Sequence, residues 1–280
     1  MVRIITDSAA DFEPREMERM GIICIPLVVM FGEKEYRENV NLSKKLFYEL
    51  LAASDKLPKT AQASPQILMD LFEDAKSQGD EAVYFTLSSA LSGTYQSAVM
   101  TQRLVESERC YVVDSLNATG GQRMLVEHAV KLRDAGKSAR EIVQEVEALR
   151  SRIVLYACMD TLENLYMGGR ISQTAYTLGS LAQIKPIIQV DAQGRVAVPA
   201  KAMGMRRGMD WLCKQVGQQP PDEAFPFYVM YTDDRSRAEE FANRLRTVGY
   251  DIPGERIIQV GAAIGTHIGA NAIGFVYVAK

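Results

Sequence analysis

Three times in the first 122 residues the chain repeats one pattern. A short apolar run ends in a loop rich in hydroxyl and acidic side chains, and a helix-like segment follows. The runs are "VRIITDSAAD" (residues 2–11), "AVYFTLSSALSG" (82–93) and "CYVVDSLNATGG" (110–121). Apolar runs of five or six residues bounded by turn residues read as strands buried on both faces, and strands alternating with helical stretches build βαβ units. A parallel pair needs a long crossover, which a helix supplies, so the pattern predicts an α/β fold with a parallel sheet covered by helices on both faces. In such a sheet the loops after the strands' carboxyl ends form the binding crevice. These are the loops in which the hydroxyls collect.

Local signals fill in the rest. Pro14 and Gly21 bracket a helix; "ICIPLVVMF" (23–31) reads as one strand bent at Pro26; "GEKEYRENVNL" (32–42) reads as a loop or short hairpin. Ser43 caps a helix, Ser64–Pro65 opens another, and Ser138 caps a third running to about Arg150. Helices are predicted from about Gly93 to Ser107 and from about Gln122 to Asp134. After Arg152 the texture changes: a strand "IVLYACM", a short helix "TLENLYMGG", a helix "SQTAYTLGSLAQI" and a hairpin around Asp191–Gly194. A helix from about Met205 to Val216, strand "FYVMY", helix "SRAEEFANRLRTVG" and strands "RIIQV" and "GFVYVA" follow. The expected organisation is an N-terminal parallel-sheet α/β domain, 1–152, and a C-terminal mixed α/β domain, 153–280, a division consistent with a 280-residue chain.

Composition narrows the function classes. The net charge is −3 with no basic block, which argues against nucleic acid as a partner. Cys24, Cys110, Cys158 and Cys213 are far apart with no Cys-x-x-Cys pair, so neither a zinc site nor a disulfide framework is expected; three lie in apolar runs and read as buried thiols in a reducing cytosol. The N-terminus lacks the pattern of a secretory signal. The longest apolar stretch, "GIICIPLVVMF", is about half the ~20 residues that span a bilayer. A cytoplasmic protein with no metal and no membrane span is the expectation.

Four loops carry chemistry. In "LSSALSGTYQSA" (87–98), Ser92 is placed to cap the following helix, and Gly93 and Thr94 bring backbone N–H groups to a helix start, an anion site without a basic residue. The plain alternative is a structural cap. A serine nucleophile needs a positioned base, and there is no Gly-x-Ser-x-Gly elbow. Of the two histidines, His128 reads as a solvated helix residue, leaving His267. In "KTAQASP" (59–65), Thr60 and Ser64 lie in a loop before a helix. In "MGGRIS" (167–172), a glycine pair holds Arg170 in a turn, from which it either meets a carboxylate or phosphate or is a surface residue beyond a helix end. In "GAAIGTHIGANAIG" (261–274), small residues flank His267, which serves as a structural, acid–base or ligand-contact residue. No Walker loop and no Gly-x-Gly-x-x-Gly fingerprint occurs, so direct nucleotide binding has no support.

Together, "IITDSAAD", "KTAQASP", "LSSALSGTYQSA", "VVDSLNATGGQ", "GGRIS", "QIKPII" and "IGTHIGANAIG" resemble, in order and spacing and over essentially the whole chain, the DegV family of bacterial fatty-acid-binding proteins, some of which are the binding subunits of a fatty acid kinase. The resemblance implies two α/β domains with a long-chain fatty acid such as palmitate between them and no other cofactor. It implies carboxylate contacts from Thr60 and Ser92, and head-group or partner contacts from Gly93, Thr94, Arg170 and His267. It also implies a non-catalytic role beside a separate ATP-dependent kinase that forms the acyl phosphate. The family's Thr-Ser-Gln-Pro-Ser loop is "TAQAS" here, with Ala61 and Ala63 at its second and fourth positions. The rival reading is an enzyme acting on a small ketone or sugar with His267 as covalent anchor, resembling at fold level the dihydroxyacetone-binding kinase subunits; a serine hydrolase is a third.

Overall fold

The computed structural model describes residues 1–177 and 183–280. The N-terminal half contributes strands β1 (Val2–Asp7), β2 (Ile22–Ile25), β3 (Val28–Phe31), β4 (Lys34–Arg37), β5 (Lys59–Ala61), β6 (Glu81–Thr86) and β7 (Cys110–Asp114). Its helices are α1 (Pro14–Met20), α2 (Lys44–Ala52), α3 (Pro65–Ser77), α4 (Thr94–Val105), α5 (Thr119–Asp134) and α6 (Ala139–Arg150). The C-terminal half adds β8 (Ile153–Cys158), α7 (Glu163–Met167), α8 (Gln173–Thr177), β9 (Ile184–Val190), β10 (Val196–Met203), α9 (Met205–Gln218), β11 (Tyr228–Tyr231), α10 (Arg235–Thr247), β12 (Ile257–Gln259), α11 (Ala262–Ile268) and β13 (Ile273–Val278).

The architecture is a two-domain α/β fold. Strands β2-β1-β6-β7 form an all-parallel sheet. Alternate residues of its strands point to opposite faces, as the period of two requires. Ile4, Val83, Phe85 and Val113 meet α5 and α6, whereas Ile5, Ala82, Tyr84 and Cys110 meet α3 and α4. The second sheet, β10-β9-β8-β13-β11-β12, is mixed. One face rests on α9 and α10 and the other on α5. Helix α5 therefore lies between the two sheets and buries every one of its first eight residues, which is the signature of an internal helix. It carries Arg123, whose buried guanidinium pairs with Glu16 and Glu127 and stacks on Phe12. A third sheet, β4-β3-β5, packs on α2 and α11.

Several local expectations are corrected. "ICIPLVVMF" is two strands in different sheets: β2 runs parallel to β1, and β3 pairs antiparallel with β4 and β5. Pro26 has no N–H for a ladder, and the chain changes sheets there. Thr60 sits on β5, paired with Val29, rather than in a loop. Helix α4 starts at Thr94, with Gly93 as N-cap; Ser92 lies one residue earlier and accepts from the Thr94 N–H at 3.2 Å. Helix α5 begins three residues before the expected start. Ser64 is an N-cap by position without a side-chain cap bond, while Ser43 and Ser138 do cap. His128 is half-buried against Phe225, with its pKa lowered by burial, not solvated. The segment expected as a helix over 172–184 is helical at Gln173–Thr177, and residues 178–182 lie outside the described residues. All four cysteines are free thiols; Cys110 and Cys158 are buried and Cys24 and Cys213 partly so.

Candidate functional site

A cavity of about 320 Å³ opens between the parallel sheet and the mixed sheet. Its floor is the face of the mixed sheet turned toward α5. The pairing register places Ile188, Ala157, Gly274 and Met230 side by side on β9, β8, β13 and β11, and all four line the cavity. Its roof comes from the loops after the parallel strands (Leu87, Leu91, Ala118) and from α11 (Ala263, Ile264, Ile268). The walls are thus mostly apolar, and a cluster of polar residues forms a rim, with Thr119, Tyr231 and Thr232 also lining the cavity.

That rim gathers the residues singled out by the sequence. Thr60 Oγ1 lies 2.9 Å from His267 Nε2, joining β5 to α11 across 207 residues of chain. The His267 ring also packs against Gly168: a Cβ there would stand 2.3 Å from Nδ1. Gly168, the C-cap of α7, turns its carbonyl to the Arg170 guanidinium, and Arg170 Nε donates to Leu91 O at 3.1 Å. Leu91 leads into Ser92 and Gly93, which complete the arc with Gln62. Thr94 is buried below it, 2.9 Å from Ser92 Oγ through its own hydroxyl. Thr60, Ser92, Gly93, Arg170 and His267 all line the cavity; Thr94 supports Ser92 from behind.

The electrostatics of the rim are asymmetric. Burial, and then the charge of Arg170, push the His267 pKa down to about 4, so the ring is neutral at neutral pH. Its Nδ1 is buried with no hydrogen-bond partner among the described residues. Burial lowers the pKa of Arg170 too, but a guanidinium stays charged. Among the described residues Arg170 forms no ion pair, both its protein bonds going to backbone carbonyls. A half-buried cation without a counter-charge, facing a cavity beside two hydroxyls, is an arrangement suited to an anion. Neither imidazole meets a serine hydroxyl among the described residues: Ser92 bonds Thr94, and His267 bonds Thr60. No described group of three His, Cys, Asp or Glu is arranged to hold a metal. No helix among the described residues is long and apolar enough to cross a membrane.

Behind α11 lies a carboxylate cluster not anticipated from the sequence. Asp11 Oδ1 accepts from Gly261 N at 2.9 Å, and Glu38 accepts from Ala262 N and, at 2.7 Å, from Ser8 Oγ. Asp7 accepts from Leu87 N at 2.8 Å and Gln122 Nε2 at 2.9 Å. The three carboxylates therefore fix the start of the helix that bears His267 and the loop that leads to Ser92. Burial raises the pKa of Asp7 and of Asp11 to about 6; burial and the Asp11 charge raise that of Glu38 to about 7. Asp7 and Asp11 belong to "IITDSAAD", a strand-end signal visible in the sequence. Glu38 follows an exposed hairpin strand and carried no such signal.

The family model described as "Uncharacterised protein, DegV family" matches residues 1–280. The chain belongs to the DegV family. A DegV domain-containing protein of Caldanaerobacter subterraneus subsp. tengcongensis is 34% identical, over 100% of this chain and 99% of that protein. One from Clostridium perfringens is 32% identical, over 96% and 94%. Among solved structures, a stearic acid-binding protein from Eubacterium ventriosum superposes with a TM-score of 0.90 at 25% identity, covering 100% of this chain and 99% of its own. DegV of Bacillus subtilis, described as a fatty acid binding protein, gives a TM-score of 0.82 at 27% identity, with the same coverage. The chain thus shares the overall fold of these DegV structures along its whole length.

Proposed function

We propose that this DegV protein binds one long-chain fatty acid in the cavity between domains 1–152 and 153–280. The carboxylate sits on Thr60 and Ser92, with Arg170, His267 and the backbone of Gly93 and Thr94 around it. The observation that carries this reading is the pairing of a largely apolar cavity with a polar rim whose guanidinium forms no ion pair among the described residues. The fatty-acid-binding relatives support it.

The energetics divide accordingly. Each buried methylene contributes ~0.8 kcal/mol, so a chain the length of palmitate supplies on the order of 10 kcal/mol gross, before association costs of several kcal/mol. The head group has only to avoid a costly unpaired burial. Neutral His267 holds the Thr60 hydroxyl at the rim without adding a second charge, and Arg170 supplies the charge. Apolar walls of this extent suit an alkyl chain better than a small ketone or sugar, and the His267 Nε2 that would anchor such a substrate is turned to Thr60. In the proposed physiological role the chain acts in the cytoplasm as a non-catalytic binding subunit. It presents the carboxylate to a separate ATP-dependent kinase. Native mass spectrometry of protein purified from a bacterial host tests the binding claim. A retained mass matching a long-chain fatty acid, lost on organic extraction, is expected; protein that neither retains a lipid nor takes one up after extraction would overturn it.

A further inference from the structure

The far end of the cavity has a definite stop, and its composition follows from the sheet register. The row Ile188–Ala157–Gly274–Met230 has small residues at its two central positions, so the floor is lowest along β8 and β13. Two residues farther from the polar rim on β8 and β9 come Leu155 and Val190, which also line the cavity. Val276, which pairs with Leu155, does not, because the first turn of α5 sits on it. A Cβ at Gly120 would lie 2.5 Å from Val276 Cγ1 and 2.9 Å from Met230 Sδ, so only a glycine allows this approach. Thr119 beside it adopts φ of +47°, a conformation that a β-branched residue takes only at a cost, and its hydroxyl lies 3.4 Å from Met230 Sδ. The next residues along the same faces, Ile153 and Val278, belong to the core around α5 and not to the cavity. The trough thus ends where α5 is wedged onto the sheet, with Leu155 as the side chain facing down it.

We propose that Leu155, with Val190 beside it and the first turn of α5 behind, sets the longest acyl chain the protein accepts. The inference rests on the fatty-acid reading above and adds a chain-length limit to it. A terminal methyl reaching Leu155 leaves no room for further methylenes, because the wedge of α5 is held by backbone-to-side-chain contact. A longer acid must buckle or leave part of its chain outside.

The test measures affinities of the delipidated protein for lauric, myristic, palmitic, stearic and arachidic acid by displacement of a fluorescent fatty acid. Leu155→Ala removes three carbons from the stop and makes space for about two methylenes. The ratio of affinities is expected to move roughly 15-fold toward the acid two methylenes longer, at ~0.8 kcal/mol per buried methylene. Val190→Phe, at a half-buried position, is expected to move it toward the shorter acids. It decides the matter if Leu155→Ala does not fold. Opposite shifts in the two variants, or the Val190→Phe shift alone in that case, support the stop. An unchanged length preference in the folded variants overturns it while leaving fatty-acid binding intact. Failure of the wild-type protein to bind any of the five acids refutes the underlying reading instead.

Discussion

Arg170 offers the sharpest test of the rim, because its substitution should weaken binding without destabilising the empty protein. The guanidinium has five N–H donors. Nε is committed to Leu91 O and one terminal nitrogen to Gly168 O, which leaves three donors and the charge for a ligand. Arg170→Gln keeps an amide able to reach a neighbouring carbonyl but removes the charge. A charge-assisted hydrogen bond to a carboxylate contributes about 2–3 kcal/mol, so palmitate affinity should fall roughly 30- to 150-fold. The methyl ester, which has no charge to pair, should lose roughly 3-fold or less. The empty protein should not melt earlier than wild type, since the burial that lowers the Arg170 pKa opposes holding an unpaired cation there. Displacement titrations of acid and ester, with thermal melts of the delipidated protein, measure all three. Equal losses for acid and ester would refute the electrostatic role of Arg170, and so would an undiminished affinity for the acid.

Other outcomes follow from the same geometry. Thr60→Ala with Ser92→Ala should weaken palmitate binding by roughly 100-fold without unfolding the protein, two hydrogen bonds to a carboxylate of about 1.5 kcal/mol each being lost; calorimetry showing unchanged affinity would contradict the clamp. Gly168→Ala puts a methyl 2.3 Å from His267 Nδ1 and must displace the ring. The resulting loss of affinity should vanish in a His267→Ala background, and an additive loss there would show that Gly168 acts otherwise. Stability should also depend on pH. Asp7, Asp11 and Glu38 have folded pKa values raised to about 6, 6 and 7, so the folded state takes up protons that the unfolded state lacks, and their contribution is present at low pH and lost as pH rises toward 7. His267, lowered to about 4, acts oppositely: its contribution is present above about 6.5 and lost as pH falls. Three carboxylates outweigh one imidazole, so denaturant midpoints should rise from pH 7 to pH 5.5. The rise should steepen in His267→Gln, and a fall in wild type would refute the balance.

Much of this molecule was legible in its sequence, for identifiable reasons. The parallel sheet announced itself through apolar runs that ended at Asp7, Leu87 and Asp114 just before hydroxyl-rich loops, since period and punctuation are local properties. Ser92, Arg170 and His267 stood out because each sits in a segment dense in glycine or hydroxyl residues. What stayed hidden was long-range. Nothing local shows that Thr60 sits on a strand paired with Val29, because that strand belongs to a three-stranded sheet closed by a distant hairpin. The division of "ICIPLVVMF" between two sheets is likewise decided by partners, not by propensity. Helix α11 was masked by its glycines and is held at its start by Asp11 and Glu38, more than 220 residues away in sequence. The chain-length stop depends on the register of four strands and the seating of α5, neither of which any window of sequence contains.

The central claim is tested most directly by a crystal structure of the delipidated protein recombined with palmitic acid. The account predicts one acyl chain between the two sheets, its carboxylate oxygens within hydrogen-bond distance of Thr60 Oγ1 and Ser92 and its terminal methyl toward Leu155. A chain running the other way, with the carboxylate away from the rim, would contradict it, as would a ligand bound outside the cavity.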